Sequence, residues 1–149
     1  MNSRVHTNHT LIIAELETSI KIHNLDIIVG FLPEGSYLVG GYIRDIILGR
    51  KTEKLDVDIV VPLNAIEIGK KIADNIGSKF IILDKKREVV RIILNNIYID
   101  IANQVSSSIE GDLCSRDFSI NSIAFLFDKK SLFDPLNGLK DLELSLIHI

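Results

Sequence analysis

Asp56 and Asp58 stand on either side of Val57, at the start of an apolar run, Val57–Val61, that Pro62 stops. Read as a strand, the run has a period of 2, which puts both carboxylates on one face, about 7 Å apart along the chain. Two carboxylates facing one way repel each other unless a cation lies between them. Mg²⁺ is a hard ion that takes one or two carboxylates together with substrate phosphates. In a two-metal site the ions clamp the attacking and leaving oxygens of a phosphoryl transfer. The same pair also reads as two solvated aspartates at a strand end, since so short a motif recurs by chance.

Upstream lies Gly40-Gly41-Tyr42-Ile43-Arg44-Asp45, where two glycines join a predicted strand to a predicted helix. Glycines let the backbone approach a phosphate, and the first helical amides point toward it. Arg44 in the first turn can pair with a phosphate as a fork. A plain strand-to-helix turn with a surface arginine is the simpler alternative. Neither a Gly-x-Gly-x-x-Gly fingerprint nor a P-loop Gly-Lys-Ser/Thr is present. A third acid, Asp100, sits inside the apolar run Ile97–Ile101, where a carboxylate is costly unless paired or metal-bound. Beside the Val57–Val61 strand it completes a carboxylate triad; on an edge strand it faces water. In Asp112-Leu113-Cys114-Ser115-Arg116-Asp117-Phe118-Ser119-Ile120-Asn121, a helix would put Asp117 and Asn121 on one face, suited to a sugar or base, with Arg116 in reach of a phosphate. A capped helix with surface polar groups is the alternative there. Asp134-Pro135-Leu136-Asn137-Gly138 reads as a turn leading into a helix.

The elements that must position these residues follow from hydrophobic spacing. Residues 10–24 predict an amphipathic helix with Ile12, Leu16 and Ile20 on its apolar stripe and Asn8 or Thr10 as its cap. Tyr37–Val39 predicts a short buried strand and Tyr42–Leu48 a helix closed by Gly49. After the Val57–Val61 strand, Ala65–Ile76 predicts a helix with Gly77 past its end. Phe80–Leu83, Val89–Leu94 and Ile97–Ile101 predict strands, the last two joined by an Asn95-Asn96 turn. The order predicts a mixed sheet flanked by helices, in the α/β or α+β class. The sequence has 149 residues, a length for one domain. With 46% apolar residues and a net charge of −3 it is no disordered chain. No apolar run approaches the ~18 residues of a membrane helix, and the polar start Met1-Asn2-Ser3-Arg4 has no signal core behind it. The single Cys114 fits a reducing cytoplasm, and His6, His9, His23 and His148 show no zinc spacing with it. A protein that holds nucleic acid through its own surface is usually basic. This chain is not, so any such contact is local or lies outside these residues.

Taken together, the motifs resemble the head domain of the class II tRNA nucleotidyltransferase (CCA-adding) and bacterial poly(A) polymerase family, within the DNA polymerase β-like nucleotidyltransferases. The resemblance runs from Tyr37 to Leu142. It implies a nucleotidyltransferase head over 35–142, preceded by a helical segment over 1–34 and followed at 143–149 by the start of a neck helix. It implies Asp56 and Asp58 as catalytic ligands of Mg²⁺, a pair to which Asp100 is added if its strand neighbours theirs. Gly40, Gly41, Arg44 and Asp45 would meet the incoming CTP or ATP. Arg116, Asp117 and Asn121 would lie near its sugar and phosphates. The implied reaction is attack of a tRNA 3′-hydroxyl on the α-phosphate of CTP or ATP, with most of the tRNA held by domains beyond this segment. The segment departs from the family pattern at Ser115, where a first arginine is usual, at Asn137, where a glycine is common, and at Asn103-Gln104, where an arginine often follows the Asp100 strand. The neck's Glu-Asp-x-x-Arg element has no counterpart here. Three other readings stay open: poly(A) synthesis, a head that binds nucleotide and metal but needs a separate helical partner, and a small nucleotidyltransferase acting on a protein or a drug.

Overall fold

In the computed structural model, which describes residues 8–51 and 53–147 (the side chains of 145–147 excepted), seven strands form one mixed sheet. Residues 1–7 of the expected N-terminal segment, 148–149 of the expected neck-helix start, His6 and His148 lie outside the described residues. The chain runs α1 (His9–Ile22), α2 (Asp26–Val29), β1 (Tyr37–Val39), α3 (Gly41–Ile47), β2 (Leu55–Val61) and α4 (Ala65–Ile76). It continues as β3 (Lys79–Asp84), β4 (Val89–Leu94), β5 (Ile97–Asn103), α5 (Ile109–Cys114) and a 3-10 turn at Ser119–Asn121. It closes with β6 (Ala124–Leu126), β7 (Ser131–Phe133) and α6 (Gly138–Ile147). The strand order is β3-β4-β5-β2-β1-β6-β7. Only the central β2–β5 pair is parallel. This is the helix-flanked mixed sheet that the spacing predicts.

Alternation along β2 divides the sheet's two faces. Val57, Ile59 and Val61 enter the main core with Leu38, Val90, Ile92, Ile99, Ile101 and Phe125. Helices α1, α3 and α4 cover that face through Ile12, Leu16, Ile20, Ile43, Ile47, Ile72 and Ala73. On the opposite face Val60 joins a smaller core with Tyr37, Val39, Ala124, Leu126 and Leu113 of α5. Asp56 and Asp58 share Val60's face by the same alternation but lie at the other end of the strand. There Asp56 is exposed and Asp58 half-buried.

The helix ends show why the predicted boundaries hold or move. Asn8 caps α1, its Oδ1 accepting from Thr10 N at 2.9 Å. The helix stops at Ile22, two residues before the predicted end, because Asn24 takes a left-handed conformation at φ 56°. Helix α4 has the predicted bounds, and Gly77 turns out of it at φ 67°. The predicted helical face of Asp117 and Asn121 does not form. Helix α5 ends at Cys114, Ser115 Oγ donates back to the Asp112 carbonyl at 2.6 Å, and Phe118 is extended (φ −127°, ψ 134°). Asp117 therefore lies between the two helical pieces, and only Asn121 belongs to the 3-10 turn. Among the described residues no helix is long and apolar enough to cross a membrane.

Candidate active site

The β1–α3 connection and the start of β2 meet because β1 and β2 pair antiparallel with Val39 opposite Asp58. The next residue, Gly40, adopts φ 81°, a conformation that L side chains rarely take. A Cβ there would lie 3.4 Å from Asp58 Oδ2, so the turn passes directly over the carboxylate. At Gly41 a Cβ would come within 3.0 Å of Arg44 Nη2. The missing side chain leaves room for the guanidinium to fold back over the start of α3. Arg44 is fixed from two sides: Nη1 donates to Asn121 Oδ1 at 3.1 Å and Nε to Asp45 Oδ1 at 3.3 Å.

These residues wall a cleft of about 700 Å³. Gly41, Tyr42, Arg44 and Asp45 form one side, Arg50, Lys51 and Lys54 the rim, and Asp56 and Asp58 the sheet side. Ser19 and His23 of α1 close one end. There the Tyr42 hydroxyl, Ser19 Oγ and His23 Nδ1 form a hydrogen-bonded group, and burial raises the Tyr42 phenol above its ordinary pKa. The lining brings four cations against three carboxylates. That balance suits a polyanion bound together with a cation better than either alone.

Asp58 is the electrostatically strained acid. Burial and then the neighbouring Asp100 raise its pKa, with Asp56 adding to the effect; Arg116 and Arg91 oppose it. Asp100 lies opposite Asp58 across the parallel β2–β5 pair, not on a sheet edge. Its carboxylate is engaged, however. Arg91, opposite it on β4, donates from Nε to Oδ1 at 2.7 Å and from Nη2 to Oδ2 at 2.9 Å. Among the described residues no group of three or more His, Cys, Asp or Glu side chains is arranged to hold a metal. Asp56 and Asp58 line the cleft, and Asp100, beside Asp58 on the neighbouring strand as the expected triad requires, has its carboxylate paired with Arg91.

Of the downstream residues, Arg116 comes near enough for its charge to act on Asp58. Its Nε is buried without a hydrogen-bond partner among the described residues, and Nη2 lies 3.8 Å from Asp112 Oδ2. Asp112 is itself buried and accepts from the Tyr37 hydroxyl at 2.9 Å and Val105 N at 3.2 Å. Asn121 reaches the cleft by holding Arg44, while Asp117 is exposed on the connecting segment. Sequence reasoning missed Arg91, Asp112 and the Ser19–His23–Tyr42 group. Only Arg91 left a legible signal: a two-residue turn at Asn95-Asn96 pairs 94 with 97 and so 91 with 100.

Residues 36–148 match the family model of the poly A polymerase head domain. The chain belongs to this family. It is 43% identical over 115 residues to a CC-adding tRNA nucleotidyltransferase of Synechocystis sp. (strain ATCC 27184 / PCC 6803 / Kazusa), covering 77% of this chain and 28% of that protein. Among solved structures, it resembles a CCA-adding enzyme in complex with ATP at a TM-score of 0.71 and 34% identity, covering 83% of this chain and 32% of the other. It also resembles a tRNA nucleotidyltransferase complexed with a primer tRNA and an incoming ATP analog, at a TM-score of 0.63 and 32% identity. That match covers 72% of this chain and 33% of the other. The chain therefore spans about a third or less of the proteins it matches.

Proposed function

We propose that this chain is the head of a tRNA nucleotidyltransferase that transfers CMP or AMP from CTP or ATP to a tRNA 3′ end. The observation that carries this reading is the close approach of the Gly40 turn to Asp58, which brings Gly41, Arg44 and two carboxylates of one sheet face into the lining of a single cleft. The relatives' names supply the acceptor class and the nucleotides. The donor set fits Mg²⁺: two carboxylates share a cleft, and the pKa of one is pushed up by burial and like charge. Asp56 and Asp58 would hold the metal; once bound, it favours ionisation of the attacking hydroxyl and neutralises charge on the leaving pyrophosphate.

The protein's own groups do the rest. Arg44, held by Asn121 and Asp45, presents a fixed fork to the phosphates. Arg116 adds positive charge from the α5 side. Asp100, neutralised by Arg91, shapes the field at Asp58 and is a positioning residue in this reading. Residues 35–142 would be the head, 1–34 a helical segment that closes one end of the cleft through Ser19 and His23, and 143–149 the start of the neck.

The test is incorporation of labelled CMP or AMP into tRNA lacking its terminal nucleotides, with Mg²⁺ present. Asp58→Ala is expected to remove incorporation by at least about three orders of magnitude while leaving the circular dichroism spectrum unchanged. A folded Asp58→Ala protein that incorporates at the wild-type rate overturns the site. Nucleotide binding without incorporation would favour the alternative of a head that requires a separate helical partner.

A further inference from the structure

Asp112 is a buried carboxylate in α5, 4% exposed, and it does not line the cleft. Two neutral donors fix its oxygens. From β1 the Tyr37 hydroxyl donates to Oδ2 at 2.9 Å, and from the connection between β5 and α5 Val105 N donates to Oδ1 at 3.2 Å. Burial, and then this hydrogen bond, push the Tyr37 phenol well above its ordinary pKa, so its hydroxyl stays protonated and remains a donor. Neither donor carries charge. The cation that faces Asp112 is Arg116, four residues on, with Nη2 3.8 Å from Oδ2. Arg116 follows the end of α5, where its N donates to the Leu113 carbonyl at 3.2 Å.

We propose that Asp112 is a positioning residue: its buried charge holds the Arg116 guanidinium near Asp58, where it serves the phosphates of the bound nucleotide. A carboxylate taken out of water is costly unless a cation compensates it. Accepting from Tyr37 and Val105 needs no charge, so the charge of Asp112 is used by Arg116 alone among its partners. The guanidinium is not saturated. Its Nε is buried without a hydrogen-bond partner among the described residues, and 3.8 Å is an ion pair without a hydrogen bond. An unmet buried donor is itself costly. Charge, and not a closed set of hydrogen bonds, therefore keeps the group in place and leaves its donors free for an anion. Its reach toward the cleft is visible at Asp58, where Arg116 is the leading influence against the raised pKa. Two carboxylates thus draw on one guanidinium. With Asp58 engaged by a cation, Asp112 is the anion that still holds Arg116. The inference rests on the nucleotidyltransferase reading above and adds what holds Arg116 in place.

The experiment titrates CTP in Mg²⁺ into the wild-type chain, Asp112→Asn, Arg116→Met and the double variant. Asp112→Asn keeps the size of the side chain and removes its charge. It is expected to weaken CTP binding about tenfold in the wild-type background but less than about twofold beside Arg116→Met, because the effects of two residues acting as a pair do not add. Equal weakening in both backgrounds marks a merely structural role and overturns the proposal, as does undiminished affinity in Asp112→Asn. The hold on Arg116 is also read without nucleotide and with Asp112 intact, by nitrogen relaxation of the arginine Nε–H groups, with Arg116→Met assigning the signal. Arg116 is expected to be as ordered as the backbone and the exposed Arg50 mobile. An Arg116 as mobile as Arg50 overturns the proposal, and this measurement carries the test if Asp112→Asn does not fold. A wild-type chain that binds no CTP overturns the nucleotidyltransferase reading instead, and the order of Arg116 then decides the hold by itself.

Discussion

In the proposed reading, Asp58 sits where catalysis and stability pull in opposite directions. Burial and the nearby Asp100 raise its pKa above the ordinary 3.8, so the folded protein holds the proton more tightly than the unfolded chain. Between the unfolded and folded values the native state binds more protons, and stability falls as pH rises through that window. At neutral pH the metal-free protein carries the full cost of the ionised carboxylate. Asp58→Asn removes it, so the variant is expected to melt a few degrees higher than wild type without metal. Mg²⁺ should raise the wild-type melting temperature and leave the variant's unchanged. Thermal denaturation at pH 4 and pH 7, with and without Mg²⁺, checks both; equal Mg²⁺ shifts in the two proteins would contradict the assignment. The pairing of Asp56 with Asp58 was legible in the sequence, because a period of 2 needs only the strand. The engagement of Asp100 was not read, although the Asn95-Asn96 hairpin already pairs 91 with 100. The Tyr37–Asp112 hydrogen bond depends on α5 lying over β1, which no local pattern states.

At the level of elements, the segment Asp134–Asp141 positions the cleft from a distance. Asp134 caps α6, its Oδ1 accepting from Gly138 N at 2.6 Å and its Oδ2 from Leu139 N at 3.1 Å. A Cβ at Gly138 would fall 2.2 Å from the Ser119 carbonyl oxygen, so α6 packs hard against the 3-10 turn. Ser119 Oγ also donates to Asp141 Oδ2. That turn carries Asn121, which holds Arg44. Gly138→Ala is therefore expected to cost about 1–3 kcal/mol by forcing α6 away, and also to weaken nucleotide binding as Asn121 shifts. Asp134→Ala, which loses only the cap, should cost ~1 kcal/mol and leave nucleotide affinity near wild type. Chemical denaturation with a parallel CTP titration separates the two; a Gly138→Ala protein with undiminished affinity would break the proposed chain of contacts. From sequence, the turn before this helix was visible in Pro135, Asn137 and Gly138. Its contact with Ser119 was not, because it joins residues far apart in the chain. The predicted helix over Asp117 and Asn121 failed for a related reason. Spacing alone did not show that Ser115 and Phe118 leave the helical path.

Across the described residues, α1, α3 and α4 cover one sheet face, with Ile28 of α2 and Leu139 and Leu142 of α6 joining the same core, and the other face is covered by α5 beside Val60 but exposed at Asp56. The parallel β2–β5 pair lies at the centre of the sheet, where Asp56 is exposed and Asp58 half-buried. The fold class and most element bounds followed from spacing, because the strands are short, apolar and punctuated by glycine, proline and asparagine. The order β3-β4-β5-β2-β1-β6-β7 did not, because it is set by which strands neighbour in space. The chain spans about a third or less of the proteins it matches, so nucleotide capture by the head is a more direct test than the complete reaction. The decisive measurement is a calorimetric titration of the wild-type chain and Asp58→Ala with CTP, in Mg²⁺ and in chelator. Binding by the wild type in Mg²⁺ alone, with none in the variant, is the predicted result. CTP binding that survives the chelator, or that Asp58→Ala retains at full strength, would contradict a metal-dependent nucleotide site at Asp56 and Asp58.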